Sequence, residues 1–176
     1  MLLTLGSGPP AEPVANPTQA PPTDMQGMPS CDTPQLDLTL GQSEGAVGHV
    51  RAVFILRNMS DSGCRLYGYP GLLLLDTDGQ PLPTDLSWGG PNYLVPDVAP
   101  RSVLVEPGDA ASFAVGFAHI PSGDETQADC PYSAQVQVTP PNAFTSVTIA
   151  AVLDPCGGRL TASPVVAGTR GPLPGE

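Results

Sequence analysis

Four cysteines are the residues of this chain whose type and spacing most directly indicate chemistry. No two of Cys31, Cys64, Cys130 and Cys156 have the C-x-x-C spacing of zinc sites or thioredoxin-like redox centres. We therefore expect two structural disulfides, for which three pairings are possible. We predict the sequential pairing, Cys31 with Cys64 and Cys130 with Cys156, because the two pairs are placed separately along the chain. Persisting disulfides imply an oxidising compartment, outside the cytoplasm.

Metal and cofactor chemistry has little support in the sequence. A zinc site would have to combine cysteines with His49 or His119, which lie in unrelated predicted strands. The run Asp76-Thr77-Asp78-Gly79 resembles the start of a calcium loop, but the later ligands and the terminal glutamate are missing. Asp78-Gly79 between apolar runs is first a hairpin turn. We predict no metal site and no cofactor.

Motifs for catalysis are also missing from the sequence. It contains no Gly-x-Ser-x-Gly elbow, His-Glu-x-x-His, P-loop or dinucleotide fingerprint. A Ser-His-Asp triad would need His49 or His119, and both lie in alternating strands where a solvated imidazole is the commoner outcome. Glycoside hydrolysis needs two carboxyl groups at a suitable separation, and with 17 acidic residues such a pair could arise by chance, so the sequence leaves this reaction open. We predict that the protein is not an enzyme.

A binding site is predicted in the segment from Gly79 to Pro100, which is longer than a connection between strands requires. It holds Trp88, the only tryptophan, and Tyr93, which could stack on a sugar ring or anchor a partner protein. Asp85 or Asn92 would orient the ligand through polar contacts. The competing hypothesis is that Trp88 folds back to cap the open end of the domain.

Composition excludes several classes of protein before any element is placed. The six basic residues are all arginine and face 17 acidic ones, so the net charge of -11 would repel nucleic acid. The apolar runs are far shorter than the roughly 20 residues that span a membrane. The 20 glycines and 23 prolines interrupt the sequence so often that no long stretch with helical periodicity remains, which excludes a helical bundle.

The elements that must position these residues are short strands with apolar residues at every second position. Turn signals such as Asp61-Ser62-Gly63 and Pro107-Gly108-Asp109 separate them. Seven to nine such strands predict an all-β, antiparallel, immunoglobulin-like sandwich. The predicted strands cover 36–40, 50–56, 71–75, 102–106, 110–118, 132–139, 146–153 and 159–166.

The two ends of the chain differ in composition from this β-rich domain, predicted over 31–167. Residues 1–30 are rich in proline and lack apolar periodicity, which predicts an extended, disordered spacer. Their apolar first residues, Met1 to Gly8, are either the remnant of a signal or anchor segment that begins upstream or an ordinary N-terminus. Residues 168–176, with Gly, Pro and Gly in quick order, predict a disordered tail.

A series of short motifs follows a distinctive order along the chain: Cys31, Gly45-Ala46-Val47-Gly48-His49, Phe54-Ile55-Leu56-Arg57-Asn58, Gly63-Cys64-Arg65-Leu66-Tyr67-Gly68-Tyr69-Pro70-Gly71, Pro107-Gly108 and Cys130. This order resembles actinobacterial domain-of-unknown-function family 4232. The resemblance covers about Cys31 to Val166 and implies a secreted or membrane-anchored envelope domain with a β-sandwich and no assigned catalytic residues.

Three classes of function remain after these exclusions. The first is a non-catalytic binding or interaction module of the cell envelope, whose partner would be a cell-wall glycan or an envelope protein. The second is a purely structural domain held away from the membrane by the proline-rich spacer. The third is an uncharacterised hydrolase. We expect the binding module, located outside the cytoplasm, with no nucleic-acid partner.

Overall fold

The computed structural model describes residues 27–90 and 94–173. These residues form eleven strands joined by turns and three short 3-10 helices. The strands are β1 Leu36–Ala46, β2 His49–Asn58, β3 Cys64–Leu66, β4 Gly71–Leu75, β5 Asp85–Trp88, β6 Val103–Val105, β7 Ala110–Ala118, β8 Gln135–Thr139, β9 Val147–Ala150, β10 Arg159–Ala162 and β11 Val166–Ala167.

The larger layer is a sheet with the strand order β1-β2-β7-β10-β5, and β11 also pairs with β7. Its centre is the antiparallel pair β2 and β7, where Phe54 lies opposite Phe113. Both rings are fully buried and stacked, with 5.2 Å between their centroids. Because side chains alternate along a strand, this register directs Phe54, Phe113 and the side chains in phase with them to one face of the sheet.

The second layer consists of the antiparallel sheet β4-β8-β9 and the antiparallel pair β3 and β6. Leu74 of β4, Val136 of β8 and Val105 of β6 are fully buried and belong to one core with Phe54 and Phe113. Two sheet layers around a shared apolar core make a β-sandwich. The predicted all-β class with antiparallel sheets is therefore confirmed.

Both predicted disulfides are also confirmed. Cys31 is bonded to Cys64, and Cys130 to Cys156. The first bond joins the segment before β1 to the start of β3. The second joins the two 3-10 turns Gln127–Asp129 and Cys156–Gly158 on either side of the β8-β9 hairpin. The only cysteines of the chain are thus all bonded.

The predicted loop over 79–100 contains a strand that the sequence analysis does not anticipate. β5 pairs with β10 in parallel, with Asp85 opposite Arg159 and Trp88 opposite Ala162. Prolines flank this stretch closely, and its partner lies more than seventy residues later, so local pattern does not reveal it. The observed number of strands therefore exceeds the predicted seven to nine, and one pair in the main sheet is parallel.

The end of the described chain corrects a second prediction. The sequence analysis predicts disorder over 168–176, but residues 168–173, here termed the C-terminal strap, lie across the outer face of β2 and β7. Arg51 donates to the Arg170 carbonyl, and the Gly171 amide donates to the Ser112 hydroxyl at 2.8 Å. Gly171 and Pro172 are buried. Residues 174–176 lie outside the described residues.

The predicted spacer over 1–30 falls mostly outside the described residues, which begin at Gly27. The Pro29 carbonyl accepts a hydrogen bond from the Arg65 amide at 2.9 Å, and Ser30 pairs with the same residue. The folded domain therefore includes Pro29 and begins slightly earlier than the predicted boundary at Cys31. No helix in the part of the chain that the structure describes is long and apolar enough to cross a lipid bilayer.

Candidate functional site

Trp88 ends strand β5 with its side chain at the surface but fixed in orientation. The residue is 60% exposed. Its indole Nε1 donates a hydrogen bond to the Pro70 carbonyl at 2.9 Å. The indole lies beside the Tyr69 ring, with 6.5 Å between centroids and a tilt of 32°. We term Trp88 and Tyr69 the aromatic platform.

Glycines shape the backbone that brings the two rings together. The chain turns immediately after Trp88 at Gly89 and Gly90, which have φ values of 64° and 83°. A Cβ on Gly89 would lie 3.0 Å from the Tyr69 hydroxyl oxygen, so a larger residue would crowd the platform. Asp97 supports the turn, because its Oδ1 accepts a hydrogen bond from the Gly90 amide at 3.3 Å.

The structure separates residues that the sequence analysis assigns to one site. Asp85 and Trp88 are three positions apart on β5, so their side chains lie on opposite faces of the strand. Asp85 therefore does not orient a ligand bound on the aromatic platform. Asn92 and Tyr93 lie outside the described residues. Tyr69, which the sequence analysis does not assign to the binding site, takes the position beside Trp88.

Asp85 instead lines a polar pocket of about 280 Å³ on the outer face of the main sheet. His49, Ser87, Arg159 and Thr161 are among its other lining residues. The Ser87 hydroxyl donates to the Leu160 carbonyl at 3.1 Å and lies 3.1 Å from the Thr161 hydroxyl. The second histidine, His119, is elsewhere, with its Nδ1 3.9 Å from a carboxylate oxygen of Asp154.

The arginine of this pocket forms an ion pair near the second disulfide, and a carboxylate thereby balances its charge. Arg159 Nη1 lies 2.6 Å from Glu125 Oε1. The hydrogen bond from Arg159, and after it the one from the Ser122 amide, together lower the pKa of Glu125 to about 2. The same bond raises the pKa of Arg159. Both groups therefore stay charged at neutral pH, and the guanidinium is already engaged by a carboxylate.

The stretch that resembles a calcium loop is a turn held by its own backbone. Asp76 Oδ1 accepts hydrogen bonds from the amides of Asp78 and Gln80, each at 2.8 Å. The Gly79 amide donates to the Asp76 carbonyl, which closes the turn. Across residues 27–90 and 94–173, no three His, Cys, Asp or Glu side chains are grouped as a metal site requires.

Together these features define an all-β, disulfide-bonded domain in which an exposed tryptophan is held beside a partly buried tyrosine. The model of the family described as Domain of unknown function (DUF4232) matches residues 31–166, and the chain belongs to that family. The matched range contains both disulfides, the aromatic platform and the polar pocket. No curated protein matches the chain.

Proposed function

We propose that this domain is a non-catalytic binding module that acts outside the cytoplasm, at the cell envelope, and that its aromatic platform stacks on a sugar ring of a cell-wall glycan. The proposal depends on one observation: the Trp88 side chain is exposed, and yet a hydrogen bond from its indole to the Pro70 carbonyl fixes its orientation. A ring that is already oriented loses little conformational freedom when a ligand stacks on it.

The location is supported by the two disulfides. Two of them in one domain, with every cysteine of the chain bonded, are typical of proteins that function in an oxidising compartment. The net charge of -11 argues against partners that carry a polyanionic backbone. A neutral sugar ring meets no such repulsion and offers an apolar face to the indole.

The non-catalytic role is supported by the hydrogen bonds of Ser87. Ser87, His49 and Asp85 all line the polar pocket, and these are the residue types of a hydrolase triad. A nucleophilic serine gives its hydroxyl proton to a base, whereas the Ser87 hydroxyl donates to the Leu160 carbonyl. Arg159 of the same pocket is engaged by Glu125. These contacts favour a structural role for the pocket over hydrolysis.

The test uses soluble peptidoglycan fragments as the probe. Because Trp88 is the only tryptophan, its fluorescence reports directly on the platform, and we expect saturable quenching during titration. Calorimetry should then show that Trp88→Ala weakens binding about thirtyfold or more. Tyr132→Ala is the matched control, because Tyr132 is 68% exposed and lies outside the platform.

Two outcomes would contradict the proposal. Unchanged fluorescence together with no heat of binding would exclude the glycan as the ligand. An envelope protein as the partner, or a purely structural role, would then remain. Equal losses for Trp88→Ala and Tyr132→Ala would show that the platform is not the binding site. Hydrolysis of the fragments during the titration, detected as released reducing ends, would instead support the hydrolase alternative.

A further inference from the structure

A cavity of about 510 Å³ lies on a different part of the surface from the polar pocket. It is formed between the segment 97–104, which ends in β6, and the segment 165–172, which includes β11 and part of the C-terminal strap. Its volume falls within the range of roughly 300–1,000 Å³ that is usual for small-molecule sites. Val165, Val166 and Ala167 line one side of the cavity, and Pro172 is the residue of the C-terminal strap that adds to it.

Aliphatic side chains dominate the lining of this cavity. Val103 and Val165 are almost fully buried, at 7% and 1% exposure, and lie at its base. Leu104 is 37% exposed and contributes to its open side, and Val166 and Pro172 contribute to the opposite wall. Apolar surface that stays accessible in a concave site gains free energy when a ligand removes it from water.

One cationic group also lines the cavity. Arg101 makes no hydrogen bond or ion pair with any described residue, whereas Arg51, Arg57 and Arg159 all have protein partners. Asp97 lines the cavity too, but its Oδ1 accepts the hydrogen bond from Gly90. Because the Arg101 guanidinium is not paired with a carboxylate among the described residues and borders an apolar cavity, it could bind the anionic group of an otherwise apolar ligand.

We propose that this cavity binds an anionic amphiphile, a molecule with an alkyl chain and a terminal carboxylate. The chain occupies the space between β6 and β11, and the carboxylate meets Arg101 at the edge. The binding involves no covalent step. This inference is independent of the proposed glycan binding, because none of the aromatic platform lines the cavity.

The first experiment measures the binding of hexanoate, octanoate and decanoate to the full chain by calorimetry, below the concentrations at which they form micelles. Each buried methylene should strengthen binding about fourfold until the cavity is filled. Decyltrimethylammonium, which carries the opposite charge on a similar chain, should bind more weakly than decanoate. Affinities that do not depend on chain length, or that are equal for the two head groups, would overturn the proposal.

The second experiment locates the site with two variants and their controls. Arg101→Gln should weaken decanoate binding about fivefold, since the guanidinium is exposed to solvent. Arg57→Gln removes the same charge at a distance from the cavity and should leave the affinity unchanged.

Ala167→Trp should abolish decanoate binding by filling the cavity, and Ala150→Trp, at an exposed position of β9, should not. Both alanines are exposed, so neither change needs to disturb the core, and the thermal midpoints of the variants verify this. Decanoate binding that persists in Ala167→Trp, or that falls equally in both tryptophan variants, would overturn the proposal.

Discussion

The guanidinium of Arg51 donates a hydrogen bond to the carbonyl oxygen of Pro172, with 2.9 Å between Nη2 and that oxygen. Arg51 is 5% exposed although it projects from the outer face of β2, away from the core. The C-terminal strap covers it and supplies carbonyl oxygens in place of water. This contact explains why β7 is buried on both faces, with Ser112 and Ala114 fully buried outside the core.

The close packing of the strap gives the first prediction. Gly171 has φ 65°, and a Cβ there would lie 3.3 Å from the Ala114 Cβ and 3.0 Å from Arg51 Nη2. Gly171→Ala should lower the free energy of unfolding by about 2 to 3 kcal/mol, measured by urea denaturation. Gly123, with φ 62° and no atom within 4 Å of a Cβ, is the matched control, and Gly123→Ala should cost only about 1 kcal/mol. Equal losses would contradict the packing argument.

The disulfides give the second prediction. They close loops of 33 and 26 residues, so each should stabilise the fold by about 3 to 4 kcal/mol through the entropy of the unfolded chain. Replacing Cys31 and Cys64 together by alanine should cost about as much as replacing Cys130 and Cys156. Denaturant midpoints of the two double variants provide the measurement. A loss near zero for either pair would show that the bond does not constrain the unfolded state.

The ion pair between Glu125 and Arg159 gives a pH-dependent prediction. The folded-state pKa of Glu125 is about 2, below the ordinary value of 4.5. A lowered carboxyl pKa contributes stability that is present above about pH 4.5 and is lost as the pH falls towards 2. Glu125→Gln should therefore flatten the fall of the urea midpoint across this range. Arg159→Gln should have a similar effect, because its hydrogen bond is the largest cause of the shift.

Trp88 gives the fourth prediction, which concerns stability. Its side chain is largely exposed, and its one hydrogen bond to Pro70 is worth about 1 kcal/mol. Trp88→Ala should lower the free energy of unfolding by about that amount, whereas Phe113→Ala, in the buried core, should cost about 3 to 5 kcal/mol. A loss for Trp88→Ala as large as that for Phe113→Ala would identify Trp88 as a core cap and weaken the binding proposal.

The alternation of apolar residues at every second position predicts the core strands well, because alternate side chains of such a strand face the apolar core. Phe113, Val115 and Phe117 of β7 are all buried on the core side, as the alternation indicates. The sequence analysis does not predict that the C-terminal strap covers the outer face of β7, although the residue types on that face are consistent with it. The residues between them, Ala114 and Gly116, are small, which leaves room for another segment of chain.

The candidate site was only partly predictable. Trp88 stands out by its type, but its neighbour Tyr69 is brought to it by the fold, through the bond from the indole to Pro70. The assignment of Asp85 to the same site fails because a strand, which directs alternate side chains to opposite faces, replaces the expected loop. That strand depends on parallel pairing with β10, a long-range contact that the local sequence does not reveal.

The bond between Cys31 and Cys64 has a mechanical consequence. Tension that enters the domain from its N-terminal side reaches Cys31 and passes through the sulfur atoms to Cys64, so β1 and β2 carry none of the load. While the bond is intact, this part of the chain cannot be drawn out. Reducing it would release the 33-residue separation between the cysteines, about 110 Å of extended chain. The C-terminal strap follows the last cysteine, Cys156, and has no such covalent protection, so a pull from that end would peel it away first.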